Sequence, residues 1–195
     1  QGFSLSLAKI LDIQITQPAT GLLTNATSLE VSGSVPNEAD TVVVNGVAAI
    51  LQGETFTAGA VPIIEGSNTI TAVATNTAED AGTSSITVVR DTSPPTVVIE
   101  SPAANQTVTS PTVTVIGLVN DVVPGTVSAH DCQVVVSGRF GSATASVNNR
   151  SFMVPDFELV PGPNTITAVA TDPAGNVSPP FQLQIVRQQL AGQTI

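Results

Sequence analysis

Residues 68–75, NTITAVAT, recur unchanged as residues 164–171, 96 positions later. An unbroken repeat at that spacing means the chain is a duplicated unit, so its architecture must be counted in copies rather than read as one body. The match extends outward. IQITQP at 13–18 aligns with VVIESP at 97–102, SLEVSGSV at 28–35 with TVTVIGLV at 112–119, and TVVVNG at 41–46 with QVVVSG at 133–138. The second copy is longer between Val119 and Gln133.

Each copy is a series of short runs rich in Val, Ile and Thr, broken by Gly, Pro and Asn about every ten residues, the pattern of a β-sandwich. Nothing reads as a helix. Side chains alternate across a strand, so in the first copy Ile13, Ile15, Leu29, Val31, Val42, Val44, Ile70, Ala72, Ala74, Ile86 and Val88 are expected in the core. Gln14, Glu30, Thr69 and Thr71 are expected in solvent. Asn45-Gly46 reads as a type I′ hairpin turn, because both central positions need positive φ; Ser137-Gly138 is the expected counterpart. Between the copies, RDTSPP at 90–95 is short and held extended by Pro94-Pro95. The expected fold is therefore all-β: two tandem β-sandwich domains joined end to end by a short Pro-containing linker. The expected divisions are 1–10 as an extended strand, 11–91 and 92–188 as domains, and 189–195 as a tail.

Gly66-x-Asn68 with TITAVAT, DPAGN at 172–176, the VVVNG hairpin and the RDTSPP joint together resemble bacterial immunoglobulin-like repeats of the glucodextranase domain B kind. The resemblance covers about 11–90 and 96–187. It implies modules used as spacers, stalks and adhesive beads in secreted and surface proteins. The first copy departs from the pattern, with NTAEDAG at 76–82 where the second has DPAGN.

Composition narrows the partners. Five Lys and Arg against 15 Asp and Glu give a net charge of −10, which repels a phosphate backbone or an anionic lipid surface, so nucleic acid is not an expected partner. No run of about 18 apolar residues exists to span a bilayer, and membrane insertion is not expected. Only 10% of residues are charged, a surface that suits an extracellular or cell-surface protein, bacterial by the resemblance. Cys132 is the only cysteine; it reads as a small buried apolar residue, with a disulfide between two chains as the alternative. Trp and Tyr are absent, which removes the aromatic platforms that stack on sugars; sugar binding is disfavoured. Phe56, Phe140, Phe152, Phe157 and Phe181 fall in strand-like runs and are expected in the core. Sequons at Asn25, Asn105, Asn149 and Asn176 are expected on exposed loops.

No catalytic site is expected and the chain reads as a non-enzyme. His130, Asp131 and Cys132 are consecutive and diverge on any extended backbone, and zinc needs three or four converging ligands. Asp156 and Glu158, at i and i+2, share a strand face that solvent explains as well as acid–base chemistry does. Calcium is the one cofactor the residues raise: Asp91 in the joint, and Asp172 with Asn176 in a turn, offer hard oxygen ligands. Asp172 can equally bond the backbone of its own turn.

The ends carry a last signal. FSLSLAK at 3–9 puts Phe3, Leu5 and Leu7 on one side, in the same pattern as FQLQIVR at 181–187, the closing strand of the second copy. Three readings stand: the closing strand of a preceding repeat, a strand donated to a neighbouring subunit, or an addition to an edge of its own first domain. In the donor reading Phe3, Leu5 and Leu7 are subunit contacts. The functions that follow are a structural segment of a stalk, filament or adhesin that contacts other copies or adjacent immunoglobulin-like domains, a spacer in a secreted polysaccharide-degrading enzyme, or an adhesin segment stiffened by calcium.

Overall fold

The computed structural model describes residues 9–122 and 132–189. The chain divides into two compact units, Gln1–Asp91 and Thr92–Ile195. Every regular element among the described residues is a strand, and each unit is an immunoglobulin-like β-sandwich.

In the first unit the strands are β1 (Gln14–Gln17), β2 (Leu23–Thr24), β3 (Ser28–Ser34), β4 (Thr41–Val44), β5 (Val47–Ala48), β6 (Ile50–Gln52), β7 (Thr55–Pro62), β8 (Gly66–Thr75) and β9 (Ala81–Arg90). They form two sheets, β1-β3-β7-β6 and β2-β9-β8-β4-β5. Alternation sends Val31, Val42, Val44, Phe56, Ile70, Ala72, Ala74 and Val88 between the sheets, each at most 2% exposed. Ile13 and Ile15 are buried beside them, while Leu29 and Ile86 pack on the margin of the core. Asn45 (φ 44°) and Gly46 (φ 86°) make the expected hairpin turn between β4 and β5.

The second unit repeats the plan with β10 (Thr96–Ser101), β11 (Thr107–Val108), β12 (Thr112–Asn120), β13 (Gln133–Gly138), β14 (Gly141–Ser146), β15 (Ser151–Glu158), β16 (Gly162–Thr171) and β17 (Phe181–Arg187). Its sheets are β10-β12-β15 and β11-β17-β16-β13-β14. Phe152, Val115, Val134, Val136, Ile166, Ala168, Ala170 and Ile185 fill the core at the positions their counterparts hold in the first unit.

Two expectations are corrected here. Ser137 and Gly138 do not turn; they pair with Ser142 and Gly141, and the chain reverses two residues later at Arg139 and Phe140. Gly138 is needed for space instead, since a Cβ there would lie 2.8 Å from Cζ of Phe157. Lengthening the hairpin carries Phe140 to its tip, 63% exposed rather than in the core. Phe56, Phe152 and Phe157 are buried as expected, and Phe181 packs partly buried against the second core.

The repeated octapeptide has a structural reason. Gly66 and Gly162 sit at positive φ, 89° and 93°, where the chain enters β8 and β16. The Asn two residues on then closes the turn. Asn68 accepts from the Ile64 amide (2.9 Å) and donates to the carbonyls of Ile64 (2.7 Å) and Gly66 (2.8 Å). Asn164 makes the same three bonds with Val160 (2.8 and 2.8 Å) and Gly162 (2.9 Å). The residues after it alternate buried Ile-x-Ala-x-Ala with Thr and Val on the other face. The stretch most alike between the copies is thus spent on building the central strand.

Candidate functional site

Asp172 and Asn176 stand together in the second unit. The Asn176 backbone amide donates to Asp172 Oδ1 at 2.8 Å, and Asn176 Nδ2 donates to Asp172 Oδ2 at 2.8 Å. The backbone closes the same turn, with Asp172 N on Asn176 O (3.0 Å) and Gly175 N on Asp172 O (3.1 Å). Both side chains are buried, 5% and 8% exposed, so the Asn176 sequon is not on an exposed loop; its amide is taken up by Asp172. Asn25, Asn105 and Asn149 are exposed.

The first unit builds the same turn with the two residue types exchanged. Asn76 Oδ1 accepts from the Asp80 amide at 2.9 Å, and Asn76 Nδ2 donates to Asp80 Oδ2 at 3.1 Å. Asn76 N bonds Asp80 O (3.2 Å) and Glu79 N bonds Asn76 O (3.2 Å). The closure needs one amide and one oxygen acceptor, four residues apart, in either order. NTAEDAG and DPAGN, which look unrelated as letters, are therefore one structural device.

Asp80 has a further partner: the Lys9 backbone N–H donates to Asp80 Oδ1 at 2.6 Å. That bond, and then the Asn76 side chain, hold the Asp80 carboxyl below the usual carboxylate range. The Lys9 ammonium meets Glu38, whose hydrogen bond and charge raise its pKa, on an open surface where such a pair contributes little to stability. Next to it, Ile10 bridges in parallel to Ala81, and the Leu11 amide donates to Ala81 O at 3.1 Å. Leu11 is 1% exposed and belongs to the first core. A Cβ on Gly82 would lie 1.8 Å from Leu11 O, so the glycine allows this segment to seat on β9. Phe3, Leu5 and Leu7, the expected subunit contacts, lie outside the described residues.

Sequence reasoning missed Asp121. It follows β12 and turns a carboxylate oxygen to within 4.8 Å of one from Asp172. Cys132 is 2% exposed, and its Sγ donates to Asp121 Oδ2 at 3.9 Å. His130 and Asp131 lie outside the described residues. Asp91, the last residue of the first unit, is buried, and its amide donates to Thr24 O at 2.9 Å.

Asp156 and Glu158 are exposed and line an open cavity of about 210 Å³ together with Phe140, Val154, Pro155 and Phe157. A β-bulge separates their registers on β12, and Asp156 itself has φ 51°. No histidine or cysteine lines that cavity.

Residues 11–92 match the family model described as glucodextranase, domain B. No curated protein matches the chain. Among solved structures, the fibronectin(III)-like modules of Clostridium thermocellum CbhA align with a TM-score of 0.56 at 15% identity, over 94% of this chain and 98% of that one. A bacterial 1.5-MDa ice-binding adhesin gives a TM-score of 0.46 at 18% identity, over 95% and 67%. A tetra-tandem repeat from the extending region of a large adhesion protein gives 0.37 at 21%, over 90% and 48%, so the chain spans about half of that structure. The first overlay supports the fold alone, and the other two carry no argument. Among the described residues no helix is long and apolar enough to cross a membrane.

Proposed function

We propose that this chain is a non-enzymatic structural segment of an extracellular bacterial stalk, filament or adhesin, extended by contacts with copies of itself. One observation carries the reading: the two copies are most alike where the fold is built, at the Asn68 and Asn164 turn closures and the core strand after each. A chain selected for length and rigidity keeps those residues; a chain selected for a reaction keeps a reacting set.

Assembly by donation of residues 3–7 to a sheet edge of a neighbouring subunit belongs to this proposal. Phe3, Leu5 and Leu7 then supply the buried face of the donated strand. Light scattering of the purified chain, of a form lacking residues 1–8 and of Leu5→Asp tests it. The proposal expects higher assemblies that both changes abolish. Assemblies of unchanged size in Leu5→Asp refute donation.

Two further readings each have an observation behind them. The domain B match over 11–92 fits a spacer in a secreted polysaccharide-degrading enzyme; a parent gene without a catalytic domain removes it. The approach of Asp121 to Asp172 fits calcium, which takes six to eight oxygen ligands and tolerates irregular geometry. That reading expects the melting temperature to rise with calcium and the rise to vanish in Asp172→Asn, with Asp91→Asn and Asn176→Ala measured in parallel. A melt indifferent to calcium and chelator ends it.

A further inference from the structure

The duplication supplies its own control for surface chemistry. On the outward face of β10-β12-β15, Val98 pairs across the strands with Leu118, and Ile116 with Met153. These four are 41%, 40%, 38% and 59% exposed. In the first unit the same positions, fixed by the registers around Gly33 and Gly117, are Gln14, Ser34, Ser32 and Thr57. One copy of the module keeps this face polar, and the other has made it apolar at all four positions. Together they expose roughly 300 Å² of apolar surface, within the range of the largest patch on a typical soluble protein, which is often functional.

The charges around the face identify what covers it. Thr96, Thr114, Asn120 and Ser151, exposed and uncharged, surround the four, and Glu158 lies on the same face beyond them, paired with Thr112 at the end that holds Glu100. In a chain of net charge −10 this is a surface on which two copies approach with little repulsion. Its two ends are oppositely charged. Glu100 lies beside the bulge where β10 meets Ile116. Arg150 lies at the other end, its Nη2 donating to Asn120 Oδ1. A two-fold axis in the plane of the face and perpendicular to the strands reverses strand direction, and so lays the Arg150 end of one copy over the Glu100 end of the other. The edge of β15 is a poorer contact than its face. Pro155 lacks an N–H, and Asp156 at φ 51° kinks the strand, so pairing edge to edge is blocked there.

We infer that the outward β10-β12-β15 face of the second unit is a self-association surface, which packs against the same face of a second copy with Val98, Ile116, Leu118 and Met153 at its centre. The contact is independent of residues 3–7. Its area places it among weak, reversible interfaces.

Sedimentation equilibrium of the intact chain, from about 10 µM to about 1 mM, tests it in the Leu5→Asp background, where strand donation cannot contribute. The inference expects reversible dimers. Replacing the four residues by those of the first unit (Val98→Gln, Ile116→Ser, Leu118→Ser, Met153→Thr) is expected to weaken association at least tenfold. Unchanged circular dichroism and melting would show that the fold is kept; Met153→Thr alone is the milder variant. Arg150→Glu and Glu100→Arg are each expected to weaken the dimer, and the double reversal to restore it. A chain monomeric throughout, a four-residue variant that dimerises like its parent, or a double reversal as weak as the singles overturns the inference. Strand donation fails by a different result, the unchanged assembly size of Leu5→Asp.

Discussion

Gly117→Ala is the sharpest perturbation of the fold. Gly117 pairs with Ile99 on one side and Phe152 on the other, inside β12. A Cβ added there would lie 2.1 Å from Val98 O and 2.5 Å from both Cε1 and Cζ of Phe152. Ordinary carbon–oxygen contacts are about 3.3 Å or longer, so β10 must retreat by about 1 Å or the ring must turn. Phe152 is 2% exposed and has no room to turn freely. Retreat loosens the β10–β12 ladder. Overpacking of a core costs about 1–3 kcal/mol, and a weakened ladder bond adds about 1, so a loss of about 3 kcal/mol is expected. For a domain of this size that lowers the melting temperature by roughly 12–24 °C. Scanning calorimetry should show the transition of the second unit moving alone, because each core cluster is drawn from its own unit. Gly59→Ala is the control: nothing lies within 4 Å of its Cβ and its φ is not positive, so it should stay within about 0.5 kcal/mol of wild type. A Gly117→Ala protein equally close to wild type would refute the packing argument.

The remaining predictions concern the turns. Asn176→Asp should cost about 1–2 kcal/mol in urea denaturation, since it faces two carboxylates, and Asp172→Asn about 0.5–1 kcal/mol, since a charge-assisted bond becomes a neutral one between two amides. The double exchange rebuilds the arrangement of Asn76 and Asp80 and should recover most of the loss; simple addition of the two single losses would contradict the equivalence. At Asp80 the carboxyl is held below its ordinary value of 3.8, so its contribution is complete above that pH and is lost as pH falls through the lower, folded value. Amide-exchange protection at Lys9 and Leu11 should therefore be constant from about pH 7 to about pH 5 and fall below about pH 4. Protection that is flat to about pH 2, or that fails near neutrality, would remove Asp80 as the tether.

Much of this was legible in the letters. The repeat, the period-two alternation and Asn45-Gly46 located the sandwich, its core and one hairpin, because those signals are local and backbone geometry enforces them. What was not legible depended on contacts across the fold. Gly138 looked like a turn residue, yet it is glycine because the Phe157 ring presses on it. Phe140 looked like a core residue until the longer hairpin carried it outside. Asp172 and Asn176 read as neighbours in one turn, but their equivalence to Asn76 and Asp80 hides behind an exchange of residue types that only hydrogen bonds expose. Asp121 carries no motif at all; only the fold brings it near Asp172. The apolar face was written in Val98, Ile116, Leu118 and Met153, but alternation alone does not say that both sides of a strand are apolar for different reasons.

The claim that the chain is a structural segment is tested most directly by pulling on it. Stretched between its ends in a single-molecule experiment, the chain should give two separate unfolding events. Their contour-length gains should be about 28 nm for the first unit and about 33 nm for the second, less the folded lengths. The parallel pairs β2–β9 and β11–β17 and the Ile10–Ala81 bridge should resist as groups of hydrogen bonds loaded together. Two discrete steps of those lengths are the predicted result. Gradual extension without steps, or a chain that yields with no measurable resistance, would contradict the account.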